Sequence, residues 1–402
     1  MARARALTVL SCFTGAGGLD LGLEAAGFET VGCLEIDAAA RDAIRLNRAH
    51  WPLLDPSDVV AAGRSLTPGA IGLTGGELDL LAGGPPCQPF SVAAQWSPTA
   101  RSGMKDPRGR TIFGMLDLID RFQPRALLIE NVAGFVQGHG NAAAVLEAGL
   151  QRVNRRHGTS YSLRWFLVDA ADYGAAQHRR RVLATALRDG REVACPPTPT
   201  HAEKPLRAWD ALNGLDVVDP PQAVGKWAEL LPCIPEGENY QYLTARGGGA
   251  ELFGYRTRYW SFLLKLARDR PAWTLPAVPG PSTGPFHWDN RPLAIEERLA
   301  LQGFSREWVL KGRPRDLVRL AGNATPPPLA EAAGRQIAVM LSPRHLRRPG
   351  ESSLALPRAR SVPGATPAAL LPKKFAALVG AKEAHPGVGA GPGRRSVSAT
   401  TG

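Results

Sequence analysis

Cys87 stands in GGPPCQPFS, between a Pro-Pro pair and a Gln-Pro pair, just past the apolar run ELDLLA. Pro85, Pro86 and Pro89 restrict the backbone on both sides and fix where the sulfur points. No histidine or second cysteine is adjacent, which argues against a papain-like acyl-transfer site. A thiolate can instead add to a conjugated electrophile that another group polarises. A pyrimidine is one such case: attack at C6 pushes electrons toward C5 when N3 is protonated, and that requires a carboxylic acid near N3. ALLIENV offers Glu130 at the end of a strand, a position that faces the same cleft. The same residues also allow an inert buried thiol at Cys87 and a helix cap at Glu130.

A second constellation lies near the N-terminus. FTGAGGLDLG follows an apolar strand and opens a helix, a place where backbone can approach a ligand closely. It departs from G-x-G-x-x-G, because after Gly15 and Gly17 the third expected glycine is Asp20, and a nicotinamide cofactor is thereby disfavoured. A nucleoside cofactor still fits, since VGCLEID puts Glu35 at the end of the next strand, where an acid can accept from ribose hydroxyls. A plain glycine turn beside an ordinary surface acid is the alternative.

These positions need a frame, and the chain supplies a βαβ rhythm over roughly its first 190 residues. ALTVLSCF, VGCLEID, LDLLAGG, RALLIENV, SLRWFLVDA and RRVLATAL read as strands. LDLGLEAAGF, AAARDAIRLNRAH, TIFGMLDLIDRF and NAAAVLEAGLQRVNRRHG read as helices. The expected fold is a doubly wound, mostly parallel α/β sheet of Rossmann-like type, with functional loops at the strand C-terminal ends. The rhythm stops near Leu187. Residues 188–290 are Pro-, Gly- and aromatic-rich and suggest a smaller irregular domain. Helical periodicity returns in LAIEERLALQGF and PPPLAEAAGRQIAVML, so that 291–342 packs back onto the catalytic region, 1–187.

Composition narrows the class. The chain has 402 residues, 44% hydrophobic and 21% charged, which is globular rather than disordered. Its apolar runs are too short to span a bilayer, and the basic start MARARALTVLSCF reads as a first strand, not a signal peptide. A cytoplasmic protein is expected. Five cysteines without a C-x-x-C pair imply neither a disulfide framework nor a metal site. From Pro343 onward ten Lys/Arg face two Asp/Glu, so the tail carries eight of the twelve net positive charges. Its Ala, Pro, Gly and Ser content predicts a basic disordered tail over 343–402.

Taken in order, these motifs resemble the DNA (cytosine-5) methyltransferase family, bacterial modification methylases in particular. FTGAGG resembles the family's S-adenosylmethionine loop, LEID its ribose-binding acid and SDVV its adenine-flanking pair. GGPPCQPFS resembles the nucleophile motif, DPRGRTIF the segment after the mobile catalytic loop, ENV the Glu130 motif and DYGAAQHRRR the Q-x-R-x-R element. RPLAIEERLALQGF and AGNATPPPLAEAAG match the two late motifs. The resemblance implies a cofactor site of Phe13, Thr14, Gly15, Gly17, Gly18, Leu19, Glu35, Ile36, Asp58, Val59, Gly83, Pro85, Asn323 and Ala324. It differs from the family pattern at Ser11, often Asp, at Ala294 and Glu296, usually Thr and Arg, and at Ser305 in place of Pro.

The implied reaction uses double-stranded DNA and S-adenosylmethionine. The target cytosine leaves the stack, Cys87 adds to C6, Glu130 donates toward N3, and Arg181 holds O2 with Gln177 and Arg179 in support. Sequence choice is expected in 188–290, where Arg246, Arg256 and Arg258 mix with Tyr255, Tyr259 and Trp260, and the triple glycine near Arg246 allows close approach. YWSFLLKL reads as core. Ser91 joins the three arginines as a DNA contact. A monomer is expected, with a cognate restriction endonuclease acting separately. A tRNA cytosine-5 methyltransferase and a catalytically silent DNA-binding relative are the rival readings; intact Cys87, Glu130 and Arg181 weigh against the second.

Overall fold

Leu7–Cys12 forms strand β1, and all six of its residues are buried. In the computed structural model, which describes residues 5–86, 110–137, 142–255, 259–342 and 353–380, helix α1 (Gly18–Ala25) and strand β2 (Phe28–Leu34) follow it. Next come α2 (Ala38–Asn47), α3 (Val59–Ser65), β3 (Leu80–Gly83), α4 (Thr111–Phe122) and β4 (Ala126–Asn131). A short α5 (Gly134–Gln137), α6 (Ala142–His157), β5 (Arg164–Asp169) and β6 (Arg180–Leu187) close the αβ region. The later helices are α7 (Ala208–Leu212), α8 (Ile295–Leu301), α9 (Pro314–Asn323) and α10 (Pro327–Leu341).

The six strands lie in the order β2-β1-β3-β4-β6-β5. β1 to β4 are mutually parallel, whereas β6 runs antiparallel to both β4 and β5. Alternating side chains serve two cores, as strand geometry requires. Leu81, Leu127 and Ile129 face α3, α4 and α6 through Val59, Met115, Ile119 and Leu146. Leu80, Ala82 and Leu128 face α1 and α10 through Leu19, Leu23, Leu329 and Ile337. The last helix therefore returns to the sheet.

Between β6 and α8 the chain forms no strand among the described residues. An aromatic cluster holds it instead: Trp227, Tyr240, Phe253 and Phe262 pack ring to ring over Leu230, Leu231 and Leu263. Within YWSFLLKL, Phe262 to Leu266 are buried as expected, while Trp260 is exposed. One bridge ties this segment to the sheet domain, Gln177 with Ala272.

The expected disorder of the tail fails over 353–380, which crosses the molecule as an extended strap. Ser353 N and Oγ donate to Glu331 Oε1 of α10 at 3.0 and 2.7 Å. Ala359 N then donates to Asp210 Oδ1 at 2.8 Å, Thr366 N to Glu236 Oε1 at 3.1 Å and Ala369 N to Pro232 O at 2.8 Å. Phe375 is buried, stacked on Trp227 with ring centroids 6.0 Å apart. The segment lacks helical or strand periodicity, yet its backbone N–H groups meet acids that are buried with the strap in place. Glu331 and Asp210 side chains are 0% exposed, and an acid so placed needs donors. No helix among the described residues is long and apolar enough to cross a membrane.

Candidate active site

The C-terminal ends of β1, β2, β3 and β4 open onto one cleft of about 370 Å³, lined at one end by Thr14, Gly15 and Glu35 and at the other by Glu130 and Arg181. The glycine loop enters it because Phe13 and Gly15 both take left-handed backbone, φ 60° and 57°. Gly15 N donates to Glu35 Oε2 at 2.7 Å, and Asp37 N donates to Glu35 Oε1 at 2.7 Å. Burial raises the Glu35 carboxyl above its ordinary range, and these backbone donors offset part of that rise. Asp37 caps α2 through Ala40 N at 3.0 Å and pairs with Arg319 Nη2 of α9 at 2.7 Å. Asp58 caps α3 and Val59 begins it, and both line the cleft beside the exposed Ile36.

Phe13, Thr14, Gly15, Leu19, Glu35, Ile36, Asp58, Val59, Pro85, Asn323 and Ala324 all line the cleft. Gly17, Gly18 and Gly83 are not among its lining residues, and their lack of a side chain serves packing. A Cβ at Gly17 would lie 2.8 Å from the Trp308 ring, one at Gly18 2.1 Å from Thr325 O, and one at Gly83 2.6 Å from Cys12 O. Sequence reasoning assigned all four glycines to the ligand because a glycine run does not say which member meets a ligand and which meets the protein.

At the other end, Glu130 is the penultimate residue of β4 and its Oε1 lies 2.9 Å from Arg181 Nε, with both side chains largely buried. Asn131, the next residue, is buried; its Nδ2 donates to Pro85 O at 2.9 Å and its Oδ1 accepts from Val132 N at 2.9 Å. It thereby pins the Pro-Pro turn to the end of β4. That role was missed in the sequence, although ENV carried the signal. Cys87, Ser91, Arg256 and Arg258 lie outside the described residues, as does the loop from Gln88 to Lys105.

Gln177 and Arg179 are buried and are not among the cleft-lining residues. Arg179 Nη2 donates to Gly322 O at 2.7 Å, holding the end of α9 and so the Asn323 turn, while Arg179 N donates to Asp169 Oδ1 at 2.8 Å. Arg179 thus holds the cleft from behind, and Gln177 bridges through its backbone to Ala272. Arg246 is exposed and covers the Tyr255 ring at 3.7 Å. The glycines beside it pack on Tyr242: a Cβ at Gly247 would lie 2.3 Å from Tyr242 O and one at Gly249 2.6 Å from the Tyr242 ring. In α8, Ala294 offers no hydroxyl cap, but Glu297 accepts from Ala294 N at 2.8 Å and takes Arg291 through both guanidinium termini at 2.8 Å. The Thr-to-Ala departure is absorbed there.

Residues 7–339 match the family model described as C-5 cytosine-specific DNA methylase. The chain belongs to that family. It is 32% identical over 368 residues to the type II methyltransferase M.SacI of Streptomyces achromogenes, covering 82% of this chain and 92% of that protein. It is 30% identical over 361 residues to M.PspPI of a Psychrobacter species, covering 84% and 80% respectively. In fold it is similar to the S. pombe Dnmt2 methyltransferase, with TM-score 0.56 and 16% identity over 85% of this chain and all of that one. The enzyme is thus a DNA (cytosine-5) methyltransferase, and S-adenosylmethionine is its methyl donor. The cleft fits that donor: a buried acid beside a glycine turn suits a ribose, and Ile36, 69% exposed, offers an uncovered apolar surface for a base. The strap lies beyond the matched residues.

Proposed function

We propose that the enzyme methylates C5 of a cytosine extruded from duplex DNA, within a short specific site, by way of a covalent Cys87–C6 adduct. The observation that carries this is the Glu130–Arg181 pair, 2.9 Å apart, lining the same cleft as the Gly15–Glu35 loop. Glu35 and the Phe13–Gly15 turn hold the nucleoside of S-adenosylmethionine, Asp58 and Val59 flank its base, and Asn323 and Ala324 close the site. When bound, S-adenosylmethionine supplies an activated methyl group.

The base cannot be attacked within the stack, so it enters the cleft at a cost of a few kcal/mol. Cys87 thiolate adds to C6 while Glu130 donates a proton toward N3, and Arg181 donates to O2. The electron pair reaches C5, which takes the methyl group. Loss of the C5 proton and expulsion of Cys87 then give 5-methylcytosine. Arg181, lining the cleft, would favour the thiolate. Residues 188–290 form the recognition unit, with Arg246, Arg256 and Arg258 against DNA and Ser91 on the catalytic side. The similarity to type II methyltransferases supports a modification enzyme paired with a separate restriction endonuclease; the enzyme acts in the cytoplasm as a monomer, since one chain carries the full motif set.

Bisulfite sequencing of plasmid DNA from cells expressing the protein, beside a Cys87→Ser control, tests the reading. Protected cytosines in one recurring context, lost in the control, are expected. Unprotected plasmid despite intact expressed protein would overturn it and turn attention to tRNA.

A further inference from the structure

Trp260 and Trp273 are 44% and 46% exposed, the only tryptophans among the described residues with large solvent-facing rings. They touch each other edge to face at 5.6 Å, and Trp273 also packs at 6.0 Å against His178. Nothing about core packing requires this, because the neighbours Ala272 and Leu275 are buried and the Trp273 side chain is turned outward between them.

The pair is held rigidly, and at a telling place. Ala272 N donates to Ala176 O and His178 N donates to Ala272 O, both at 2.8 Å, so the residue before Trp273 is laced into the Gln177–Arg181 element. Thr274 Oγ1 donates to His178 O at 2.7 Å, fixing the residue after it. Asn239 Nδ2 holds Trp260 O at 2.8 Å. Three positions beyond His178, Arg181 pairs with Glu130 at the cleft. Arg180, beside it, is exposed and adds positive charge. Two uncovered indoles thus sit where the 188–290 segment is tied to the chain that leads into Arg181.

We infer that Trp273 and Trp260 form an aromatic ledge that packs against the DNA beside the target cytosine, taking base or sugar faces uncovered when that cytosine leaves the stack. This rests on the base-extrusion reading above. Extrusion strips its neighbours of a stacking partner, and an indole face replaces one without selecting among bases. The ledge therefore contributes affinity and holds the opened duplex, leaving sequence choice to other groups.

The test is steady-state methylation of unmethylated plasmid by Trp273→Ala, Trp260→Ala and Trp273→Phe. Trp273→Ala should raise KM for DNA about 10- to 100-fold, the range of one lost base–aromatic stack. The KM for S-adenosylmethionine and the melting temperature should stay unchanged, and Trp273→Phe should recover most of the loss. Trp260→Ala should show a smaller rise. Acrylamide quenching of tryptophan fluorescence gives an independent readout: plasmid DNA should shield the wild type more than a Trp260→Phe/Trp273→Phe double variant. An active wild type alongside a Trp273→Ala variant with unchanged KM for DNA overturns the ledge alone. So does a parallel rise of both KM values with a lowered melting temperature, or equal shielding of wild type and double variant.

Discussion

Arg181 reaches Glu130 because β6 runs against β4. The ladder sets Asn131 opposite Val182 and Glu130 opposite Leu183, so the start of β6 lies beside the end of β4 and Arg181 Nε comes 2.9 Å from Glu130 Oε1. In a fully parallel sheet that arginine would stand at the opposite edge from the cleft. The antiparallel strand is therefore part of the cleft's geometry, delivering a cation to an edge where parallel strands deliver their C-terminal residues.

Removing one member of this largely buried pair leaves the other without its counter-ion. Arg181→Ala should lower thermal stability by up to about 3 kcal/mol and reduce methyl transfer at least a hundredfold. A Glu130→Gln/Arg181→Met double variant should recover most of the stability and none of the activity, because a buried pair can be replaced by neutral groups while the proton donor cannot. Chemical denaturation read beside methyl transfer checks this; a double variant as unstable as Arg181→Ala would count against the pairing.

Asp20 supplies a pH signature. It is fully buried in α1, and burial pushes its pKa up to about 7, with the Ser11 hydroxyl offsetting only part. Glu35, Glu24, Cys12 and Cys33 surround it, and the two glutamates push in the same direction. Below about pH 4 the carboxyl is protonated in both folded and unfolded chains, and no penalty arises. Between about 4 and 7 only the folded state keeps the proton, so stability falls as pH rises and levels off above 7. Asp20→Asn abolishes that penalty. Its stability relative to wild type should therefore grow by roughly 2 kcal/mol from pH 5 to pH 8. Urea unfolding at both values reads the difference directly, and a gap independent of pH would show that Asp20 does not hold the proton.

The strap gives a truncation experiment. Ending the chain after Gly380 leaves every contact of 353–380 in place and should leave melting unchanged. Ending it after Ser342 removes the strap's donors to Glu331, Asp210 and Glu236, leaving their arginine partners, and takes Phe375 off Trp227. That form should melt lower and be cleaved faster by protease within 188–290, and Phe375→Ala alone should cost about 3 kcal/mol. Equal melting of the two truncations would show that the strap adds nothing to the fold.

The αβ alternation was legible because each strand carries a dense apolar run and each helix a 3.6-residue stripe; five of the six strands lie within the stretches that the pattern marks, while β2 starts at Phe28, three residues before VGCLEID and at the end of the stretch read as helix. Strand direction was not legible. Nothing local to RRVLATAL says that it opposes RALLIENV, since direction is set by the connection and by the pairing partner. The strap was illegible for a related reason: its bonds are backbone donors meeting distant acids, and no residue pattern encodes that. Glu35 and Glu130 could be placed from strand ends alone. Arg179 and Arg181, two residues apart in one motif, could not be sorted into one that holds α9 from behind and one that faces the cleft: strand alternation would put both on one face, and they part only because Arg179 precedes β6 while Arg181 lies in it.

The glycine loop offers the sharpest separation between ligand-facing and protein-facing positions. A methyl group at Gly18 would lie 2.1 Å from Thr325 O and 2.8 Å from the Phe304 ring, and a backbone carbonyl cannot move aside as a flexible side chain can. Gly18→Ala must therefore displace α1 from the Asn323–Thr325 turn, costing about 1–3 kcal/mol and opening the cofactor end of the cleft. Gly15→Ala meets nothing closer than Phe13 O at 3.8 Å; its penalty is the left-handed backbone, about 1–2 kcal/mol. The two variants should be similarly destabilised but differ in binding. Gly18→Ala should weaken S-adenosylmethionine binding by tenfold or more through the displaced turn. Gly15→Ala should keep the affinity within a few-fold, since Gly15 N still reaches Glu35. Calorimetric titration of both variants with the cofactor distinguishes them; equal losses would mean that the loop responds as one unit and that Gly18 has no separate packing role.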